Sequence, residues 1–170
     1  MKDPCHLLEA IVHEHFEFLL KERGYVILNE DSGHRDGCLI VLEGNSLRLK
    51  FLSARDEPLN VLVGDTSAPA GWADEVDGER KWHYLRGIAG YLDGDLATGV
   101  RVLSMSNEEW TEGREKAPHN LSSMLKAHIG DIENLFAGGG FDRVKADYEQ
   151  YRKAADARTR AALESRAGRS

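Results

Sequence analysis

The stretch His13-Glu14-His15-Phe16-Glu17 has residue types that could hold a metal. Its spacing is not that of a zinc protease, which needs two histidines four apart with a glutamate beside the first. His13 and His15 are two apart, and on a helix they point roughly 160° from each other, so one ion cannot take both. His6, Glu9, His13 and Glu17 do align, at intervals of three, four and four. Such a face could bind a transition metal, but the expected reading is a solvated His/Glu helix surface, since no Cys/His cluster elsewhere supports a metal. Two further histidines, His15 and His128, fall inside apolar helical stripes. Each is expected to be a core imidazole bonded to backbone or to a neighbour. A sharper alternative is a pH-sensitive pair meeting between two helices.

Other motifs resolve into turns. Asp93-Gly94-Asp95 and the acids of 74–79 lack the ligand spacing of a calcium loop. Gly138-Gly139-Gly140 lacks the Lys-Ser/Thr of a phosphate loop and reads as a helix stop. No G-x-S-x-G or similar nucleophile context is present, and no cofactor is implied. Cys5 and Cys38 are the two cysteines, and Cys38 opens an apolar strand, where a thiol acts as a small hydrophobe. The N-terminus lacks the apolar run of a secretory signal, and no segment reaches about 20 apolar residues. The expectation is a cytoplasmic protein with reduced thiols and no membrane contact.

The segment 64–81 is a different kind of candidate. It is long for a connection, and it carries Asp65, Trp72, Asp74, Glu75, Asp77 and Glu79. Tryptophan is common at the energetic centres of interfaces, and carboxylates around it would attract a basic partner. The alternative is that Trp72 folds back onto the sheet. Charge is unevenly spread. The last nineteen residues hold six Arg/Lys and two acids, leaving 16 basic and 27 acidic residues in 1–151, a net −11. An acidic body argues against a broad nucleic-acid surface, and the Arg-rich tail lacks the interleaved aromatics of a single-strand binder.

The elements that must position these residues are readable in the pattern. The 170 residues suit a single domain, made of a helix plus antiparallel sheet over 1–64, a helical part over 81–155 and a basic helical tail over 156–170. Asp3-Pro4 predicts a helix start, running to about Arg23 and stopping at Gly24. Leu8, Ile11, Val12, His15, Phe16, Phe18 and Leu19 form its apolar side. A strand over 25–30 is followed by the turn DSGHRDG. The segments CLIVLE and SLRLKFL flank a Gly44-Asn45 turn. CLIVLE is apolar on both faces, which predicts a central strand covered on both sides. In the next strand Leu47, Leu49 and Phe51 alternate with Ser46, Arg48 and Lys50, which predicts one buried and one wet face. LNVLVG completes a four-stranded meander after the Asp56-Glu57-Pro58 turn. Helices are predicted over 81–92, from Ser106 by a capping box, from Asn120 after a break at Pro118, and from Phe141 onward. The stretch 96–104 is ambiguous between strand and helix. The fold class is therefore α+β: a four-stranded antiparallel meander with an N-terminal helix and a helical C-terminal half.

The strands IVLEGNSLRLKFLSARDEPLNVLVG, the helix WHYLRGIAGYL and the segment LKAHIGDIENLF occur in that order between an N-terminal amphipathic helix and a last helix rich in Tyr and Arg. This order resembles a broad group of small, mostly uncharacterised bacterial proteins, some of which are regarded as immunity proteins of polymorphic toxin systems. The likeness rests on hydrophobic patterns over roughly 16–160, and it implies an interaction role rather than an enzymatic one. The leading expectation is a non-enzymatic protein that binds a basic protein partner through its acidic surface, as an immunity-type inhibitor would. Two alternatives stand beside it: a metal-dependent enzyme using His6, Glu9, His13 and Glu17, and a structural subunit that forms a homodimer through the C-terminal helix.

Overall fold

The computed structural model describes residues 4–34, 37–54, 57–96 and 107–168. The N-terminal helix is α1 (Pro4–His15), followed by the single turn α2 (Glu17–Lys21). The sequence predicted one helix, but Phe16 leaves helical geometry at φ −121°, ψ 17°. The break lets Leu8, Val12, Phe16 and Leu19 all bury against the sheet, with the Phe16 ring edge-on to Phe51 at 4.8 Å.

The strands are β1 (Val26–His34), β2 (Gly37–Glu43), β3 (Arg48–Ser53), β4 (Asn60–Gly64), β5 (Glu75–Val76), β6 (Glu79–Arg80) and β7 (His83–Tyr84). The main sheet is antiparallel in the order β1-β2-β3-β4-β7, so the expected meander is extended by β7. β1 also runs further than expected, through Asp31, Ser32 and Gly33. Its pairing with β2 slips between Ile27 and Asn29 and again between Asp31 and His34, two bulges on an edge strand. The Asp31 carboxylate accepts the Gly33 N–H at 2.8 Å inside the second slip, a local bond that favours a turn and here bends a strand.

One sheet face carries Cys38, Ile40, Leu42, Leu49, Phe51, Val61 and Val63 into the main core. Helices α1, α3 (Leu85–Asp93), α4 (Asn107–Phe136) and α5 (Gly140–Ala167) supply the rest of that core, through Ile88, Leu121, Leu125, Ile132, Phe141 and Tyr148 among others. α3 starts four residues later than the periodicity predicted, because His83 and Tyr84 pair with β4. Its Gly87 has a packing reason: a Cβ there would lie 2.7 Å from the Tyr148 hydroxyl. α4 passes through Pro118, where a break was predicted. Proline costs a helix interior one hydrogen bond and a steric clash. Burial of Ala117, Leu121, Leu125 and Ile129 carries the helix across. The glycines 138–140 stop it as expected, with Gly138 at φ +58°. Beyond Ala155 the last helix is largely exposed, in keeping with its Ala/Arg composition. The ambiguous stretch 97–104, the capping residues Asp3 and Ser106, and Asp56 lie outside the described residues. Among the described residues no helix is long and apolar enough to cross a membrane.

Candidate functional site

The segment 64–81 is built from the sheet outward. β2 and β4 turn Leu39, Val41 and Leu62 toward the face opposite the helices. Those side chains need cover, and residues 65–74 provide it by crossing the sheet to its far edge. Asn29 of β1 donates to the Ala70 carbonyl at 2.5 Å, and the Trp72 indole N–H donates to Asp31 at 3.0 Å. Ala68, Trp72 and Trp82 close the second apolar layer, with the Trp82 N–H donating to the Pro69 carbonyl at 2.9 Å. CLIVLE is thus covered on both sides, as its pattern predicted. Trp72 folds back onto the sheet, the bland alternative of its two readings.

The expectation of a wet face on β3 is wrong for the same reason. Lys50 is 0 % exposed. Its ammonium donates to Asp74 at 2.7 Å and to the Gly71 carbonyl at 3.1 Å, and it sits 4.8 Å over the Trp82 ring. Burial pulls the Lys50 pKa below its usual value, and Asp74 opposes that pull. Arg48 is similarly occupied, donating to Glu43 at 2.6 Å and to the Ala68 carbonyl at 2.5 Å. Alternation gives the direction of each side chain, and a loop decided what met it.

The six sequence-predicted partner residues therefore divide. Asp74 holds Lys50, Glu79 pairs with Lys145 and with Lys81, and Asp65 caps the turn at Ser67 with a 2.7 Å bond from its N–H. The paired lysines hold the Glu79 carboxyl below the usual range. Glu75 and Asp77 remain exposed on the β5–β6 hairpin, beside an exposed Val76. The hairpin turns on Asp77-Gly78, both at positive φ (52° and 78°), the two-residue Asp-Gly turn that fits the twist of paired strands. That dipeptide was the signal available in the sequence. The metal-like set on α1 is spread over the surface: His6 and His13 are exposed, Glu9 is half-buried and Glu17 pairs with Lys21 at 2.5 Å. The set does not converge; among the described residues, the three-ligand cluster found is Cys5, Glu30 and Cys38. Cys5 and Cys38 are joined by a disulfide, where free thiols were expected. They lie 33 residues apart, and nothing in the sequence predicts that the start of α1 crosses β2 with a 5.0 Å Cα separation.

His15 and His128 do not pair. His128 places Nδ1 on the Met124 carbonyl at 2.8 Å and Nε2 on Asp93 at 2.9 Å, so both ring nitrogens are taken. Burial lowers its pKa, but the Met124 carbonyl, Asp93 and the charge of Asp131 together outweigh burial and the net shift is upward. His15 is half-buried, and its carbonyl accepts from Ser122 at 2.5 Å.

The histidine that sequence reading missed is His83, which β7 turns into the core. It is 3 % exposed, 4.6 Å from the Phe141 ring and 5.4 Å from Tyr148. Its Nδ1 has no hydrogen-bond partner among the described residues. Burial first, then Arg80, Arg152 and Lys145, hold its pKa down to about 4; Asp65 opposes them weakly. A small cleft beside it is lined by Asp65, Arg80, Lys81, Asp142 and Lys145. An imidazole kept neutral in this way is a poor proton acceptor at neutral pH.

The two histidines give opposite pH signs. His83 is depressed, so its contribution is present above about pH 6.5, the unfolded value, and is lost as pH falls toward 4, by up to about 3 kcal/mol. His128 is raised, so its contribution is full below about pH 6.5 and is lost as pH rises through its folded pKa. Urea titrations of wild type and His83→Phe from pH 8 to pH 4 should give stability curves that diverge below pH 6.5, with the variant flatter on the acid side. Parallel curves would mean that His83 is not a buried neutral base.

Among the described residues β1 is an end strand of the sheet, paired on one flank, as is the two-residue β7 at the other end. Val26, Ile27 and Leu28 are 59 %, 44 % and 41 % exposed. Consecutive exposed apolar residues break the usual alternation, and a bulge follows Ile27. Exposed Glu22 and Glu30 flank them, while Arg23 is paired with Glu133 at 3.2 Å. No protein-family model, curated protein or solved structure matches the chain.

Proposed function

We propose that this protein works by binding a basic protein, as an immunity-type inhibitor does, and that the open edge of β1 receives an extended segment of that partner. The observation that carries the reading is the run Val26-Ile27-Leu28, exposed on a free strand edge between the carboxylates of Glu22 and Glu30. Soluble proteins usually blunt such edges with lysines, prolines or a covering element, because unpaired N–H and C=O groups pair readily with another chain. A strand added there gains main-chain hydrogen bonds, and its alternate side chains meet the apolar run and the carboxylates. The acidic body, net −11 over 1–151, steers a basic partner toward it. Glu75 and Asp77 on the hairpin add exposed negative charge, whereas Asp74 and Glu79 serve internal lysines.

Co-expression with the products of neighbouring genes, followed by titration of any pair that associates, tests it. Ile27→Lys should weaken a found complex at least tenfold by placing a cation against the partner's own, and Glu30→Lys and added salt should act in the same direction. Unchanged affinity for Ile27→Lys would remove the edge. Loss of affinity on Glu75→Lys and Asp77→Lys instead would move the contact to the hairpin.

A further inference from the structure

We propose that Cys5, Cys38 and Glu30 form a redox-gated site for a thiophilic divalent cation, of which Zn2+ is the representative. The start of α1, the start of β2 and the middle of β1 bring two sulfurs and a carboxylate oxygen within 4.8 Å of one another. Corners of a tetrahedral zinc site, with bonds of about 2.3 Å to sulfur and about 2.0–2.2 Å to oxygen, stand roughly 3.5–4 Å apart. The three donors therefore need small shifts once the sulfurs are released from each other. Both sulfurs are buried and the glutamate is exposed, so the fourth position opens to water. Two thiolates select a soft or borderline cation over magnesium or calcium. Cys5 is the second residue of the twelve-residue α1, where the helix N-terminus favours a thiolate.

Disulfide and metal are mutually exclusive. A thiol reductant such as glutathione gives two electrons and two protons to the Cys5–Cys38 bond and is itself oxidised to its disulfide. The cation then displaces the two thiol protons to solvent as the Zn–S bonds form. Re-oxidation by a disulfide such as oxidised glutathione, which takes two electrons from the dithiolate and two protons from solvent and is reduced to two thiols, re-forms the Cys5–Cys38 bond and expels the cation. Glu30 is shared with the partner surface proposed above, but Cys5 and Cys38 are not, and the test of the site requires no partner.

The full chain, reduced with a phosphine, freed of metal by chelation and titrated with Zn2+ against a chromophoric chelator, should take up one equivalent. The oxidised chain should take up less than a tenth of that. Co2+ in place of Zn2+ should show a thiolate-to-metal charge-transfer band in the reduced chain, lost in Cys38→Ser. Glu30→Gln, which leaves the disulfide and the core untouched, should weaken binding about tenfold with the thiolate band retained. His13→Asn with Glu9→Gln should change nothing. Equal uptake by the reduced and oxidised chains, or reduced uptake insensitive to Glu30→Gln, would overturn the assignment, and the second readout decides even if Cys38→Ser fails to fold.

Discussion

Trp82→Ala is expected to destabilise the protein by about 4 kcal/mol, the upper range for removing a buried aromatic. Trp82 is 0 % exposed and is the largest fully buried side chain of the layer that closes the second face of the sheet. Its removal opens a cavity against Leu39, Val41 and Leu62, frees the Pro69 carbonyl, and takes the aromatic face from beneath the Lys50 ammonium. That last loss is of consequence because Lys50 is fully buried with its charge, and a cation over a ring in a desolvated site contributes about 2 kcal/mol. Trp82→Phe keeps one aromatic ring and loses the pyrrole part of the indole with its N–H donor, so it should cost about 1–2 kcal/mol. Urea denaturation of the three proteins at one pH gives the comparison. A loss below about 1 kcal/mol for Trp82→Ala would show that residues 65–74 lie on the sheet without forming a core there.

That layer also explains how far sequence reading reached. Apolar residues on both faces of CLIVLE announced a doubly covered strand, and the cover proved to be the segment 65–74. What the pattern could not supply was the identity of the cover, since Asn29 to Ala70 and Asp31 to Trp72 join residues 41 apart. Lys50 was assigned to water because alternation says where a side chain points and nothing about what arrives there. The carboxylates of 64–81 were assigned to a partner for the same reason, and two of them, Asp74 and Glu79, meet lysines contributed by β3 and α5. In the helical half the stripe through His128 was one position off its centre: Ile129 and Phe136 are buried, and His128 lies at the rim within reach of Asp93. Local signals of known geometry did better, as at Gly138–Gly140, and the Asp77-Gly78 turn had the same kind of signal. Pro118 shows the limit of such signals, because tertiary burial on both sides outweighed a local penalty of about 3 kcal/mol.

Reduction of the Cys5–Cys38 bond, with divalent metal removed by chelation, is expected to lower stability by about 3–4 kcal/mol. The bond closes a loop of 33 residues that contains all of β1 and the helix-to-sheet crossing. Opening it restores to the unfolded chain the conformations that the loop forbids, and the chain-entropy relation puts that at about 3.7 kcal/mol for a loop of this length. The folded state should keep its shape, because Leu8, Val12 and Phe16 hold α1 on the sheet independently of the bond. The urea midpoint should therefore fall by about 1.5–2 M, for a slope near 2 kcal/mol/M. Adding Zn2+ to the reduced chain should recover part of this loss in proportion to the logarithm of free metal, since a cation bound only by the folded state stabilises it by mass action. Cys5→Ala with Cys38→Ala separates the two contributions: it should match the reduced chain within about 1 kcal/mol and respond to no metal. A midpoint that does not move on reduction would mean that the two sulfurs are not joined in the protein in solution, and that the α1–β2 crossing is held by apolar packing alone.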